Sequence, residues 1–95
     1  MKSPFVYLLT NKPQGTLYVG VSSDLIKRIW QHKHHVFEGF SSKYYLHSLV
    51  WFEQHASMEM AILREKQIKG GSRQKKIALI EALNPLWVDL YDSLL

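Results

Sequence analysis

The chain has 95 residues, which is room for one domain spanning residues 1–95, and 46% of them are hydrophobic. It contains no cysteine, which excludes disulfides, thiolate metal sites and a cysteine nucleophile. The net charge is +4 with the histidines neutral. A polyanion such as nucleic acid is therefore the first partner to consider, although ordinary solvated helix faces would give the same excess of lysine and arginine.

The sequence carries no sign of export or membrane insertion. The first stretch, "MKSPFVYLLTNKPQG", has too short an apolar run for a signal peptide, and no small-residue cleavage site follows it. No segment approaches the roughly 20 apolar residues that a membrane helix needs. We therefore expect a soluble cytoplasmic protein without a membrane partner.

The hydrophobic pattern predicts a hairpin, a helix, a third strand and two further helices. The predicted strands cover 5–10, 16–22 and 49–54, and the predicted helices cover about 24–34, 58–69 and 73–83. Ser22 or Ser23 is expected to cap the first helix, Ser57 the second and Ser72 the third. Residues 36–45 are predicted to form a loop and 86–95 a short helix or irregular tail. This ββαβαα order indicates an α+β fold, a small α/β sandwich of three antiparallel strands flanked by helices.

Alternation in the hairpin predicts which side chains share a face of the sheet. If the aliphatic residues of both strands face one core, then Tyr7, Tyr18 and Gly20 lie together on the opposite face. With the turn centred near Pro13, the two tyrosines would lie nearly opposite each other. Gly20 would then leave space for a closely approaching group. The alternative is a cross-strand aromatic pair that only covers the sheet, which is common.

The predicted helices carry three polar residues beside or within apolar stripes. Arg28 and His32 fall one turn apart at the edge of the first stripe, where a solvated arginine and a half-buried histidine would be ordinary. Arg28 has a planar charged fork suited to phosphate oxygens, and His32 can move a proton near neutral pH. Glu65 falls near the middle of an arc of about 120° formed by apolar residues such as Ile62 and Ile68. A carboxylate there must be paired, protonated or bound to metal, so it is either part of a buried salt bridge, with Arg28 as one candidate partner, or part of a site.

Other basic and aromatic residues could contact a polyanion, with solvated surface charge as the alternative for each. The candidates for nucleic-acid binding are Lys27, Lys43, Tyr44, Lys69, Arg73, Lys75 and Lys76. The stretch "HKHH" (32–35) does not predict a zinc site, because adjacent histidines on a helix face different ways. No Walker loop or dinucleotide fingerprint is present, so no nucleotide cofactor is expected.

Two segments, "FVYLL" and "LYVGVSSDLIKRIWQH", resemble the two halves of the GIY-YIG nuclease signature. Val6-Tyr7 stands in the first half and Tyr18-Val19-Gly20 in the second. Arg28 occupies the position of the family's helix arginine, and His32 occupies the His/Tyr position one turn later. The first half departs from the family pattern in one respect, since Phe5 stands where the family has glycine.

The later segment "REKQIKGGSRQKKIALIEALNPLWVDLY" resembles the small stand-alone bacterial branch of the same family. In this resemblance Glu65 matches the metal-binding glutamate. Asn84 matches the asparagine near the end of the domain, a structural residue expected near the site, as is Gly20. Gly71 departs from the pattern, because many of these small relatives have tryptophan there.

The resemblance implies a metal-dependent endonuclease that hydrolyses phosphodiester bonds in DNA, including single-stranded or structured DNA, in repair or recombination. It implies one divalent cation, Mg²⁺ or Mn²⁺, held by Glu65. Arg28 would hold a non-bridging phosphate oxygen. One of Tyr7 and Tyr18 would orient or deprotonate the attacking water while the other binds phosphate, and His32 would assist the proton transfer.

Two other functions remain as alternatives. The chain could be a nucleic-acid-binding module of the same fold that no longer cuts, or a protein-interaction adaptor that uses its tryptophans and tyrosines as a contact patch. Loss of at least one of the five catalytic positions is typical of a decayed module. All five are intact, which favours the nuclease.

Overall fold

The computed structural model describes residues 2–36 and 44–95. The elements are β1 (Phe5–Thr10), β2 (Leu17–Ser22), α1 (Leu25–Lys33), β3 (Ser48–Gln54), α2 (Met58–Gly70), α3 (Arg73–Leu83) and a final 3-10 helix (Tyr91–Leu94). The strands form one antiparallel sheet in the order β2-β1-β3. The predicted α+β class and element order are confirmed. Lys43 and most of the predicted 36–45 loop lie outside the described residues.

The helix starts follow from side-chain caps, two of which the sequence predicted correctly. The Ser57 hydroxyl accepts the Met60 N–H, and the Ser72 hydroxyl accepts the Lys75 N–H, both at 3.2 Å. The predicted cap of α1 was wrong. β2 extends to Ser22 and α1 begins at Leu25, so Asp24 is the residue directly before the helix. Its carboxylate accepts the N–H of Lys27 at 3.3 Å.

Both faces of the sheet are covered, so the central strand β1 is buried along its whole length. Its residues alternate between two cores. The core under α2 and α3 contains Val6, Leu8, Val19, Ala61, Ile68, Ile80 and Trp87. The core under α1 contains Phe5, Tyr7, Leu9, Leu25, Ile29 and Leu49. Tyr7 therefore lies in the α1 layer. In the part of the chain that the structure describes, no helix is both long and apolar enough to cross a membrane.

The chain that follows α3 is fastened to the outer edge of β3. Val50 is the extra residue of a bulge where the register of β3 against β1 shifts. Its carbonyl accepts a hydrogen bond from the Asn84 amide at 3.1 Å. The same amide donates to the carbonyl of Val88 at 2.8 Å, and its oxygen accepts the Val88 N–H at 3.1 Å. Asn84 is thus a buried structural residue, and it lies beside β3 rather than beside β2.

Asp89 extends this attachment from the sheet edge to α1. Its carboxylate accepts the Leu49 N–H at 3.1 Å and forms an ion pair with Lys33 in the last turn of α1. The next backbone N–H, of Leu90, donates to the Leu49 carbonyl at 2.7 Å. The tail therefore covers the β3 edge, which would otherwise present unpaired backbone groups, and holds the end of α1 against the sheet.

Replacing Asn84 by alanine should lower the free energy of unfolding by about 1–3 kcal/mol, because the buried carbonyl of Val50 loses its donor. Urea unfolding measures this loss. Asp92→Ala is the control: Asp92 is exposed and its side chain makes no hydrogen bond within the described residues, so its change should stay within about 0.5 kcal/mol. Equal stability of the two variants would contradict the role given to Asn84.

Candidate functional site

Tyr7 and Tyr18 lie on the same face of the sheet, as predicted, but they are diagonal neighbours. Tyr7 pairs with Gly20, and Tyr18 pairs with Leu9. The expectation that the tyrosines lie nearly opposite each other was therefore wrong. The last pair of the hairpin is Thr10 with Leu17. In this register the partner of Tyr7 is Gly20, two residues beyond Tyr18. The two rings remain close, with centroids 6.4 Å apart.

Gly20 makes room for Tyr7 and not for an incoming group. A Cβ atom on Gly20 would lie 2.3 Å from both Cζ and Oη of Tyr7, far inside contact distance. The phenol therefore lies across the backbone of β2 in the space that a side chain would fill. The expectation that Gly20 leaves this face open was wrong, because Tyr7 itself fills it and is only 1% exposed.

The phenol of Tyr7 reaches across to α1 and bonds to His32. Tyr7 Oη and His32 Nε2 are 3.1 Å apart, and His32 is buried. The His32 ring also contacts Tyr18, with centroids 5.6 Å apart, and Tyr18 is half-buried. The two strands and the helix thus bring three rings together, of which that of Tyr18 is the most exposed.

Burial shifts both members of the Tyr7–His32 pair away from ionisation. Desolvation raises the pKa of Tyr7; the charges of Tyr18 and Glu65 add to this and that of Arg28 opposes it. Desolvation, with a contribution from Arg28, lowers the pKa of His32 to about 4. Near neutral pH Tyr7 therefore keeps its proton and His32 is neutral.

These protonation states determine the direction of the hydrogen bond. Within residues 2–36 and 44–95 the Tyr7 hydroxyl has His32 as its one hydrogen-bond partner. A buried O–H group needs an acceptor, so we infer that Tyr7 donates to Nε2 and that the His32 ring carries its proton on Nδ1. The fold thus holds an unprotonated ring nitrogen beside a phenol.

Arg28 and Glu65 approach this pair from two different helices. Arg28 lies on α1 one turn before His32, and its charge acts on both Tyr7 and His32. Glu65 lies on α2, acts on Tyr7, and has a side chain only 16% exposed. Lys69, one turn further along α2, pairs with Glu65 at 3.4 Å. Ile62 is 37% exposed, so the buried face of α2 is narrower than predicted and Glu65 lies toward its border.

The predicted nucleic-acid contacts Lys27 and Lys69 lie close to site residues in the sequence, and Tyr44 is a third predicted contact. Lys27 is exposed on α1 directly before Arg28. Lys69 is 53% exposed and paired with Glu65. Tyr44 is 39% exposed at the start of the second described range. Their contact with DNA stays a prediction.

The basic residues of α3 lie in the helix layer on the other side of the sheet. Arg73 donates to the carbonyls of Gln14 and Gly15, both at 2.7 Å, and so fastens α3 to the hairpin turn. Lys75 and Lys76 line a groove between α2 and α3. Arg73 therefore has a structural contact that its sequence position did not indicate, and binding of DNA by these three residues stays a prediction.

Glu65 suits a hard cation that keeps most of its water. The described residues contain no group of three or more histidine, cysteine, aspartate or glutamate side chains that could enclose a metal. A single, largely buried carboxylate at the edge of a polar site is compatible with Mg²⁺ or Mn²⁺, since Mg²⁺ is commonly held by one or two carboxylates with water and substrate phosphate completing its shell. The residues present therefore fit the implied ion.

Comparison with known proteins identifies the family of the chain. The family model described as the GIY-YIG catalytic domain matches residues 3–78. The chain belongs to the GIY-YIG family. The matched range contains all five predicted catalytic positions and ends before Asn84. The resemblance seen in the sequence is confirmed, and the GIY-YIG domain supports a nuclease-type function for the chain.

The relatives of this GIY-YIG chain are also small. It is 36% identical over 84 residues to a UPF0213 protein of Staphylococcus saprophyticus, covering 84% of this chain and 96% of the relative. It is 35% identical over 86 residues to a UPF0213 protein of Staphylococcus aureus, covering 85% and 98%. The solution NMR structure of a UPF0213 protein from Bacillus halodurans superposes with a TM-score of 0.57 at 27% identity, covering 90% of this chain and 89% of that one.

Replacing Gly20 by alanine should cost about 1–3 kcal/mol of stability, because the new methyl group displaces the Tyr7 phenol from its place over β2. Urea unfolding measures the loss. Gly70→Ala is the matched control: a Cβ atom there meets nothing within 4 Å, so this variant should be unchanged or slightly more stable. A Gly20→Ala protein as stable as Gly70→Ala would show that Tyr7 does not need the space.

Proposed function

We propose that this GIY-YIG protein is a divalent-metal-dependent endonuclease that hydrolyses phosphodiester bonds in DNA. One observation carries the proposal. The buried Tyr7–His32 hydrogen bond lies within the electrostatic reach of both Arg28 and Glu65, although β1, α1 and α2 supply these groups from distant parts of the sequence. A phenol, an unprotonated imidazole, a guanidinium and a carboxylate are together suited to hydrolysing a phosphate ester.

The two tyrosines differ in exposure, and we assign them different roles on this basis. Tyr7 is 1% exposed and its hydroxyl is bonded to His32, whereas Tyr18 is half-buried and so the more accessible of the two. We therefore assign Tyr18 to the substrate side, where its phenolic oxygen orients the attacking water. Tyr7 and His32 lie behind it. As the attacking water gives its proton to the Tyr18 oxygen, the Tyr18 proton moves to Oη of Tyr7 and the Tyr7 proton moves to Nε2 of His32, whose ring is neutral near pH 7.

Arg28 would stabilise the negative charge of the phosphate directly, and Glu65 would do so through the cation that it holds. The guanidinium of Arg28 offers two parallel donors to a non-bridging oxygen and stabilises the charge that builds up as the bond breaks. Glu65 would hold the cation through its carboxylate oxygens, with the Lys69 ammonium displaced from its 3.4 Å pairing. The ion, when bound, supplies charge stabilisation at the scissile phosphate and the leaving oxygen.

A cleavage assay tests the function directly. The protein is incubated with single-stranded, duplex and branched DNA in the presence of Mg²⁺, Mn²⁺ or a chelator. The proposal predicts internal cuts that require the divalent ion. DNA binding without cleavage under all these conditions would instead identify an inactive binding module.

Arg28→Lys should keep most of the DNA affinity and lose the cleavage rate by about 10²-fold or more, because lysine keeps the charge but not the bidentate fork. Binding is measured by fluorescence anisotropy and the rate with Mn²⁺ under single-turnover conditions. Lys12→Arg, at an exposed position in the hairpin turn, serves as a control for exchanging lysine and arginine. Cleavage by Arg28→Lys at the unmodified rate would remove Arg28 from the reaction.

Glu65→Gln should abolish metal-dependent cleavage and change the free energy of unfolding by less than about 1 kcal/mol, since the partner Lys69 is exposed. A buried ion pair with Arg28 would instead make the loss about 3–5 kcal/mol. Urea unfolding with chelator present separates the two cases. Glu59→Gln, exposed in the first turn of the same helix, should leave cleavage unchanged and lower the free energy of unfolding by less than about 1 kcal/mol. Undiminished cleavage by Glu65→Gln would contradict the metal assignment.

A further inference from the structure

A polar cavity of about 490 Å³ lies beside Arg28, outside the ring cluster of Tyr7, Tyr18 and His32. It is lined by the segment before β1, the end of β2 with the turn that follows, and α1. The side chains that matter here are those of Lys2, Ser22, Lys27, Arg28 and Gln31. Its volume is within the range of small-molecule sites, large enough for a phosphate group with its sugar.

The cavity is electropositive and rich in hydrogen-bond donors. Lys2, Lys27 and Arg28 face a single carboxylate, that of Asp24, which already accepts the N–H of Lys27 as the cap of α1. Both lysines are exposed, and their ammonium groups make no hydrogen bond or ion pair within the described ranges. This lining suits an anion with several oxygen acceptors.

A buried hydroxyl adds a further donor to the lining of the cavity. Ser22 is 6% exposed, and its oxygen accepts the Asp24 N–H at 3.0 Å. That bond uses a lone pair, and within the described residues the hydroxyl donates to no acceptor, so its proton remains for an oxygen of a ligand. An oxygen of a bound phosphate would satisfy this donor.

The lining also indicates what the cavity does not recognise. Pro4 is the one apolar residue among those that line it, and none of them is aromatic. A nucleic-acid base binds without sequence preference mainly by stacking on aromatic rings, which this cavity lacks. The cavity is therefore suited to the sugar–phosphate backbone.

We propose that this cavity binds the phosphodiester next to the one that is cut, on the same DNA strand, through Lys2, Lys27 and Ser22. This inference rests on the proposed nuclease function. Arg28 connects the two positions, because it lines the cavity and its charge also acts on Tyr7 and His32. A strand held in this way is positioned without reading its bases, and a charged phosphate next to the cut lowers the KM for cleavage.

The first test measures binding without cleavage. A single-stranded oligonucleotide is titrated with chelator present, over a range of salt concentrations, against the unmodified protein and Lys2→Ala/Lys27→Ala. The double variant should bind roughly tenfold more weakly. Its slope of log affinity against log salt should be shallower by about 0.7, the value for one lost phosphate contact on a single strand. The matched control is Lys12→Ala/Lys66→Ala, which removes two exposed lysines outside the cavity.

The second test determines which phosphate of the strand the cavity binds, relative to the one that is cut. Oligonucleotides with neutral methylphosphonate linkages carry one charged phosphodiester, two adjacent ones, or two that are far apart. With Mn²⁺, the unmodified protein should cut the adjacent pair with a lower KM than either other substrate, and Lys2→Ala/Lys27→Ala should lose this preference.

Two outcomes would overturn the proposal. One is that Lys2→Ala/Lys27→Ala has the same affinity and salt slope as the control variant, and the other is that it keeps the preference for adjacent phosphates. A shallower slope with no cleavage by any protein would refute the nuclease function and keep the cavity as a phosphate site.

Discussion

The hydrogen bond from Tyr7 to His32 joins the central strand of the sheet to the helix that carries Arg28. It forms because Gly20 on the neighbouring strand has no side chain, which lets the phenol lie across β2 and reach α1. Packing of the Tyr18 ring against both partners follows from the same placement. Each buried polar group satisfies the other, so the pair can lie in the core without the cost of an unpaired donor or acceptor. One contact therefore joins the sheet to α1 and shapes the proposed site.

The same burial sets the acid–base state of the site. Desolvation keeps the proton on Tyr7 and keeps His32 neutral, and the Arg28 charge lowers the pKa of His32 further. Under the proposed function, a phosphate bound to Arg28 offsets that charge and raises the proton affinity of His32 when a proton must be taken up. The C-terminal tail supports this geometry from the far end of α1 through the Lys33–Asp89 ion pair and the attachment of Asp89 to β3.

The features that the sequence predicted correctly are those with a local physical signal. Periodicity predicted the strands and helices, and hydroxyl side chains before apolar runs predicted the caps at Ser57 and Ser72. Alternation predicted that Tyr7, Tyr18 and Gly20 share a face. The pairing within that face was missed, because the turn between the two hairpin strands fits more than one register.

Other features depend on contacts between distant segments. The bonds from Arg73 to the hairpin turn join residues 58 or more positions apart, so the sequence showed Arg73 only as one more basic residue. The cavity beside Arg28 combines the segment before β1, the end of β2 and the outer face of α1. The basic residues near α1 were visible in the sequence, but their enclosure around a buried serine hydroxyl needed the fold.

The central claim is that a neutral His32 accepts the proton of Tyr7, and NMR titration of the His32 imidazole tests it most directly. The account predicts a ring protonated on Nδ1 alone near neutral pH, with a pKa well below the ordinary value and near 4. Since the unfolded chain binds this proton at about pH 6.5, the contribution of His32 to stability should be complete above that pH and fall away toward pH 4. A His32 pKa at or above about 6.5, or a proton on Nε2 at neutral pH, would contradict the account.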